Sequence, residues 1–219
     1  MTKLIFYTFP GPNTVKVAAM LEECGLAHEA RLTNPAAGDT RSPEFLKINP
    51  AGQVPFVHDP DGPGGVPIGL GESGAILIYL AEKCDCLLPA DGPDRYEVLQ
   101  WVMWQVSNVG PVFPRLNGID KVDAATRDDH LARIRGVLDA LEARLTGRDW
   151  LAGDDYSIAD LSVWPWYAGA VRFMGLGRYL DLSGDTATAA WVNRCMSRPA
   201  TQATMAAQEK LAAQMGGTP

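Results

Sequence analysis

The sequence predicts an α/β domain of order βαβαββα over residues 1–83, followed by an all-helical domain over residues 94–219. Three observations carry this expectation. Short apolar, aromatic and β-branched runs bounded by Pro and Gly, the mark of strands, lie only in the first third of the chain. Residues 84–93 (CDCLLPADGP) then break the pattern as a linker rich in Cys, Asp, Gly and Pro. Beyond them, apolar residues recur at helical spacing. Strands first and helices afterwards indicate two segregated units.

Lys3 to Phe9 is an apolar and aromatic run that stops at Pro10-Gly11-Pro12, so it reads as a buried strand. From Asn13, Val17, Met20, Leu21 and Cys24 form a helical face closed by Gly25. His28 to Thr33 reads as a second strand and residues 34–41 as a polar loop. Ser42-Pro43-Glu44 opens a short helix, with Ser as N-cap, Pro at the first helical position and an acid in the first turn. Val54 to His58 and Ile68 to Leu70 are the third and fourth strands. Glu72 to Lys83 follows as a helix with Ile76, Leu77 and Leu80 inward.

In the second unit, Tyr96 to Val109 reads as helical up to Gly110-Pro111. Ala124 to Leu145 repeats Leu131, Ile134, Leu138, Leu141 and Leu145 on one face. Ser157-Ile158-Ala159-Asp160 has the form of a capping box, and it opens a helix through the aromatic run Trp164 to Tyr167. Helices over Thr186 to Ser197 and Pro199 to Met215 close the chain.

A length of 219 residues suffices for two small cores, and 47% hydrophobic with 21% charged residues is ordinary for a soluble globular protein. The formal net charge of −7 repels a phosphate backbone and argues against a nucleic-acid partner. No apolar run approaches the roughly 20 residues that span a bilayer, so no membrane association is expected. MTKLIFYTFPGPN lacks the cleavage site of a signal peptide. Cys24, Cys84, Cys86 and Cys195 are too few and scattered for a secreted disulfide framework, and Cys84-Asp85-Cys86 has poor zinc spacing. A reducing cytoplasm and no metal are therefore expected.

Three turns carry the chemistry. Phe9 to Thr14 is a strand-to-helix turn, and a helix N-terminus offers N–H groups and positive partial charge to an anion. A thioredoxin-type redox protein would place a C-x-x-C pair here, but this stretch has no cysteine. Any thiol acting at this turn must arrive with a ligand; alternatively Asn13 is simply an N-cap. At Gly52-Gln53-Val54-Pro55, a cis bond would turn the Val54 N–H and C=O outward, able to pair with an extended peptide. Pro at a strand start is also ordinary. At Gly71-Glu72-Ser73-Gly74, Ser73 can bind a carboxylate and Glu72 an ammonium, or the pair can serve as a cap. The three turns together offer an anion hole, a peptide-like edge and an amino-acid clamp.

That combination resembles the glutathione transferase superfamily. The carrying segments are PNTVKVAAMLEECGL (12–26), SPEFLKINPAGQVPFV (42–57), ESGAILIYLAEK (72–83), LQWVMWQVSNVGPVF (99–113) and WLAGDDYSIADLSVWPW (150–166). The chain is most similar to the Nu-class and disulfide-bond reductase branch, where a Pro-Asn turn is followed by Lys-Val and a Trp-Gln helix runs into Gly-Pro. The resemblance implies a thioredoxin-like first domain with glutathione as cosubstrate. The activity implied is glutathione-dependent disulfide reduction, with weaker conjugation or peroxidase chemistry on a small electrophile. A non-catalytic glutathione-binding protein on the same fold is the alternative.

By the same resemblance Asn13 is the catalytic residue, its amide approaching the glutathione sulfur, with Gly11 in the same turn. Val54 pairs with the cysteinyl unit, Gln53 adjoins the glycyl end, and Glu72 and Ser73 clamp the γ-glutamyl group. Thr40 lies where close relatives have a Gln touching glutathione. Trp104, Asn108 and Phe113, with Trp166, face a second-substrate pocket or form core. A homodimer is implied. Two departures stand out: Gly11 replaces a sulfur-binding Thr, and Asp129 stands where the partner subunit supplies an Arg, with Arg127 and Arg133 nearby. Tyr7 holds the position of the catalytic Tyr of other classes, and here it reads as a core aromatic.

Overall fold

The computed structural model describes residues 3–214. Its packing divides the chain into two compact units. One runs up to Cys86 and takes in the stretch from Pro199 onward; the other is Leu87–Arg198.

The first unit contains β1 (Leu4–Thr8), α1 (Pro12–Glu23), β2 (His28–Leu32), α2 (Pro43–Ile48), β3 (Phe56–Asp59), β4 (Ile68–Gly71) and α3 (Ser73–Cys84). The sheet order is β2-β1-β3-β4, with β1 and β2 parallel and the other neighbours antiparallel. This is the thioredoxin-like arrangement expected from the sequence. Phe6 faces Ala30 on one side and Val57 on the other. Side chains alternate across β1: Leu4, Phe6 and Thr8 are buried, Ile5 and Tyr7 half-buried. Phe6 and Val57 share the core with Val17, Met20 and Leu21 of α1 and Ile76, Leu77 and Leu80 of α3. On the other face, Tyr7 meets Phe45 and Phe56 at centroid separations of 5.5 and 5.9 Å. Tyr7 is thus a half-buried aromatic packed against that face of the sheet. α9 (Pro199–Gln214) packs on α1 in this same unit.

β3 begins at Phe56 rather than Val54, because Pro55 has no N–H to give to a ladder. Ser42 caps α2 as expected, its Oγ accepting from the Phe45 N–H at 3.2 Å. The N-cap of α1 is Gly11, with Pro12 as the first helical residue, so Asn13 is not a cap.

The helical unit contains α4 (Gly92–Trp104), α5 (Gly110–Val112), α6 (Ala124–Leu145), α7 (Ile158–Arg172) and α8 (Thr186–Ser197). α4 starts four residues earlier than Tyr96, with Pro93 in its first turn. It passes through a π turn, Gln105–Val109, in which the Gly110 N–H bonds the Gln105 carbonyl five residues back. Pro111 has no N–H for the Ser107 carbonyl, so a regular ladder cannot run through. α7 is buried on nearly every side, as its apolar run requires. The capping box is present: Ser157 Oγ accepts from the Ala159 N–H at 3.2 Å, and Asp160 Oδ2 accepts from the Ser157 N–H at 3.0 Å. Asp160 also accepts from the Leu151 N–H at 2.9 Å and from Trp191 Nε1 at 2.7 Å, tying α7 to α8.

Candidate active site

The site is assembled where α1 and α3 begin. Both helices start directly after a strand, so their N-termini sit at one end of the sheet. At the first, the Gly11 carbonyl accepts from the N–H groups of Thr14 and Val15 at 3.1 and 3.0 Å. The Thr14 hydroxyl lies within hydrogen-bond reach of the carbonyls of Phe9 and Gly11, which fixes the turn. Asn13, the second helical residue, is exposed.

The residue that ties the turns together is Lys16, which sequence reasoning did not single out. One turn further along α1, its side chain is wholly buried, at 0% exposure. Its ammonium donates to Asn13 Oδ1 at 2.8 Å and, with a longer bond, to Ser73 Oγ at 3.4 Å. Burial lowers the Lys16 ammonium from its usual 10.5 to about 7, against the opposing attraction of the Glu72 carboxylate. The charged Lys16 ammonium can only donate, so the Asn13 oxygen faces it, and the amide nitrogen is turned away from it.

At the second helix start, Glu72 occupies the N-cap of α3 but makes no side-chain cap bond. Its backbone lies at φ 64°, ψ 111°, a conformation costing a non-glycine residue about 1–3 kcal/mol. Such strain is kept only where the surroundings impose it. Glu72 is exposed and Ser73 buried. The capping alternative therefore fails for Glu72, whose carboxylate is left to the surface beside Lys16.

The third turn is held by Asn49, also missed from the sequence. Its Nδ2 donates to the Gln53 carbonyl at 2.8 Å, and its own carbonyl accepts from the Gly52 N–H at 2.9 Å. Asn49 also borders Gly71: a Cβ there would lie 3.8 Å from Asn49 Oδ1. Gly52 has φ +61°, and a Cβ on it would lie 2.9 Å from the Thr40 carbonyl and 2.8 Å from Arg41 Nη1. Only glycine fits. The bond between Val54 and Pro55 is cis. Thr40 itself is buried in the short turn Asp39–Arg41, while Gln53 and Arg41 are exposed. So Asn13 joins Ser73 through Lys16, and Gln53 approaches Gly71 through Asn49. Thr40 takes part through its backbone.

Two family models match the chain: "Glutathione S-transferase, N-terminal domain" over residues 10–83 and "Glutathione S-transferase, C-terminal domain" over residues 124–194. The disulfide-bond oxidoreductase YfcG of Escherichia coli is 36% identical over 209 residues, covering 92% of this chain and 94% of the relative. The chain belongs to the glutathione S-transferase family. A Pseudomonas putida glutathione transferase with one glutathione disulfide bound per subunit superimposes with a TM-score of 0.88. It is 37% identical and the match covers 92% of this chain and 90% of that one. A Burkholderia graminis glutathione transferase with two glutathione molecules bound per subunit gives 0.88 at 38% identity, over 98% and 90% of the two chains.

For a glutathione S-transferase, the remaining expected residues divide. Trp104 is half-buried and packs edge-on against Trp101 at 5.0 Å. Asn108 is exposed in the π turn, its Nδ2 donating to the Trp104 carbonyl at 3.2 Å. Phe113 is wholly buried in the core of the helical unit, and Trp166 is also buried. Both rings are packed in the interior of the helical unit. Asp129 and Arg133 are paired with each other at 2.8 Å on the exposed face of α6. Tyr7 Oη accepts from Arg31 Nη1 at 3.3 Å, and neither residue joins the Lys16 cluster. Among the described residues, no group of His, Cys, Asp and Glu has the arrangement to hold a metal ion, and no helix is long and apolar enough to cross a membrane.

Proposed function

We propose that this chain binds glutathione and uses its thiolate to reduce disulfides, with conjugation of small electrophiles as a weaker activity. The single observation that carries the reading is the Lys16–Asn13 bond, which turns the amide oxygen toward the buried ammonium, so that the donor end of the amide points away from it. In this reading the γ-glutamyl carboxylate lies on Ser73 and its ammonium on Glu72. The cysteinyl unit pairs with the Val54 backbone. The glycyl end lies beside Gln53 and Thr40, with the exposed Arg41 guanidinium as its counter-charge.

A free thiol of pKa near 8.5 is only a few per cent thiolate at pH 7. The α1 N-terminus contributes about 0.3–1 kcal/mol. A hydrogen bond to charged sulfur adds about 1.5–3 kcal/mol. Together they lower the thiol by roughly two units, since ~1.4 kcal/mol is one unit. The larger share falls to Asn13, because Gly11 has no hydroxyl to add. The thiolate attacks one sulfur of a disulfide substrate, giving a mixed disulfide and a leaving thiolate. A second glutathione resolves the mixed disulfide, and glutathione disulfide leaves.

Two further assignments belong to this reading: a homodimer and a cytoplasmic location. Tyr96, Met103 and Val106 support the dimer, as apolar side chains at 72%, 52% and 43% exposure along one face of α4 and its π turn. Sedimentation tests the dimer. Steady-state turnover of a model disulfide and an aryl halide, at several glutathione concentrations, tests the activity. Faster disulfide turnover is expected; binding without turnover of either substrate would instead make the chain a glutathione-binding protein.

A further inference from the structure

Three of the four cysteines lie together at the opposite ends of the two helices that carry the site. Cys24 is the residue that caps α1, and Cys84 is the last residue of α3. Asp85, at φ 51°, turns the chain back so that the Cys86 N–H bonds the Ala81 carbonyl at 3.1 Å. This turn brings Cys86 Sγ to 3.8 Å from Cys24 Sγ, in van der Waals contact. Cys84 also neighbours Cys24 and helps to raise its thiol. All three are half-buried, whereas Cys195 is sealed in the helical unit. The sequence shows none of this, since Cys24 and Cys86 are 62 positions apart.

No metal-holding arrangement is present among the described residues, so two-thiol chemistry is what the cluster can do. We propose that Cys24 and Cys86 form an oxidisable dithiol that exchanges with a low-molecular-weight disulfide and closes into an intramolecular bond. The Cys86 thiolate attacks one sulfur of the small disulfide, forming a mixed disulfide and releasing one small thiolate. The Cys24 thiolate then attacks Cys86 Sγ, forming the Cys24–Cys86 bond and releasing the second. The two cysteine protons end on the two released thiols. The cysteine pair is oxidised by two electrons and the small disulfide reduced by two. Cys24 ends the α1 ladder, its N–H bonding the Met20 carbonyl at 2.9 Å, and Cys86 lies beyond α3 in the turn made by Asp85, so the closing movement needs only side-chain rotation and adjustment of two turns.

Burial pushes both thiols up, and for Cys86 the carboxylates of Glu23 and Asp85 add to this. Exchange is therefore slow at neutral pH, as suits a site answering a sustained oxidising shift rather than a turnover thiol. The bond would join the far ends of α1 and α3, ~18 Å of helix from Asn13 and Ser73.

The full-length protein, reduced and then incubated with either glutathione disulfide or hydroxyethyl disulfide, is digested with trypsin without reductant and analysed by mass spectrometry. The expected product joins the peptides Val17–Arg31 and Cys84–Arg95 with loss of two hydrogens, whichever disulfide is used. The cross-link persists in Cys84→Ser and Cys195→Ser and is lost in Cys24→Ser and Cys86→Ser. Mixed disulfides that never resolve, a bond within Cys84–Arg95, or unmodified thiols would each overturn the assignment. Hydroxyethyl disulfide makes the result independent of glutathione binding at Asn13.

Discussion

Lys16 Nζ sits 2.8 Å from Asn13 Oδ1 and 3.4 Å from Ser73 Oγ, so one buried ammonium orients two residues from different helices. With the amide oxygen of Asn13 held, the amide hydrogens have a defined direction. The proposed activity depends on that orientation.

Asn13→Ala should therefore lower kcat/KM for disulfide reduction by about 10–100-fold, the loss of one hydrogen bond to a charged acceptor. Asn13→Asp should be worse, because its carboxylate still accepts from Lys16 but repels the thiolate. Steady-state kinetics at saturating glutathione checks both. Equal activity in Asn13→Asp and wild type would contradict the donor role.

Lys16→Met should separate stability from activity. The Lys16 ammonium falls from 10.5 to about 7 on folding, so the unfolded chain binds more protons between those values. Stability contributed by this residue then rises with pH across that window, and the penalty is fully present below pH 7. The Met variant should lack this rise. At pH 7 it should be more stable by on the order of 1–3 kcal/mol, less the lost hydrogen bonds, while losing activity as Asn13→Ala does. Urea titrations at pH 7 and pH 9 read the first effect and kinetics the second.

Glu72→Gly should also act with opposite signs. Glycine relaxes the φ 64° backbone and should stabilise the fold by about 1 kcal/mol. Loss of the carboxylate that receives the γ-glutamyl ammonium should raise the glutathione dissociation constant by about 10–100-fold. Calorimetric titration alongside thermal melting resolves the two.

The order of the elements was legible because it rests on local patterns: alternation in Leu4 to Thr8, helical spacing in Ala124 to Leu145, and the Ser157 capping box. What escaped depends on tertiary approach. A Lys three residues after an exposed Asn reads as solvent-facing, and only the arrival of Ser73 from α3 shows Lys16 to be interior. Asn49 carries no local signal of its own, yet it links two turns that are 18 residues apart at Gln53 and Gly71. Aromatic identity leaves both roles open at Phe113 and Trp166, since a ring that fills a core and a ring that lines a pocket have the same local signature; the structure shows both side chains buried. The π turn at Gln105–Val109 likewise follows from Pro111, four residues on from Ser107, which a spacing pattern registers only as a stop.

Asp160→Ala tests the helical unit alone. Its carboxylate accepts from two backbone N–H groups, at Leu151 and Ser157, from Trp191 Nε1 and from the Ser157 hydroxyl. Removing it leaves three buried N–H donors unpaired and should cost about 3–5 kcal/mol. Burial raises the Asp160 carboxyl from 3.8 to about 6, against the lowering effect of these hydrogen bonds. The folded chain then binds more protons between pH 3.8 and 6, so this residue's contribution to stability falls as pH rises through that window. Urea midpoints for wild type and variant across that range check both points.

The most direct test is titration of the thiol of glutathione bound to the wild-type protein and to Asn13→Ala, followed by thiolate ultraviolet absorbance. The wild-type complex should titrate roughly two units below the free thiol's ~8.5, and the variant at least about one unit higher than wild type. Identical titrations in the two proteins, or failure of the wild type to take up the tripeptide at all, would contradict the account.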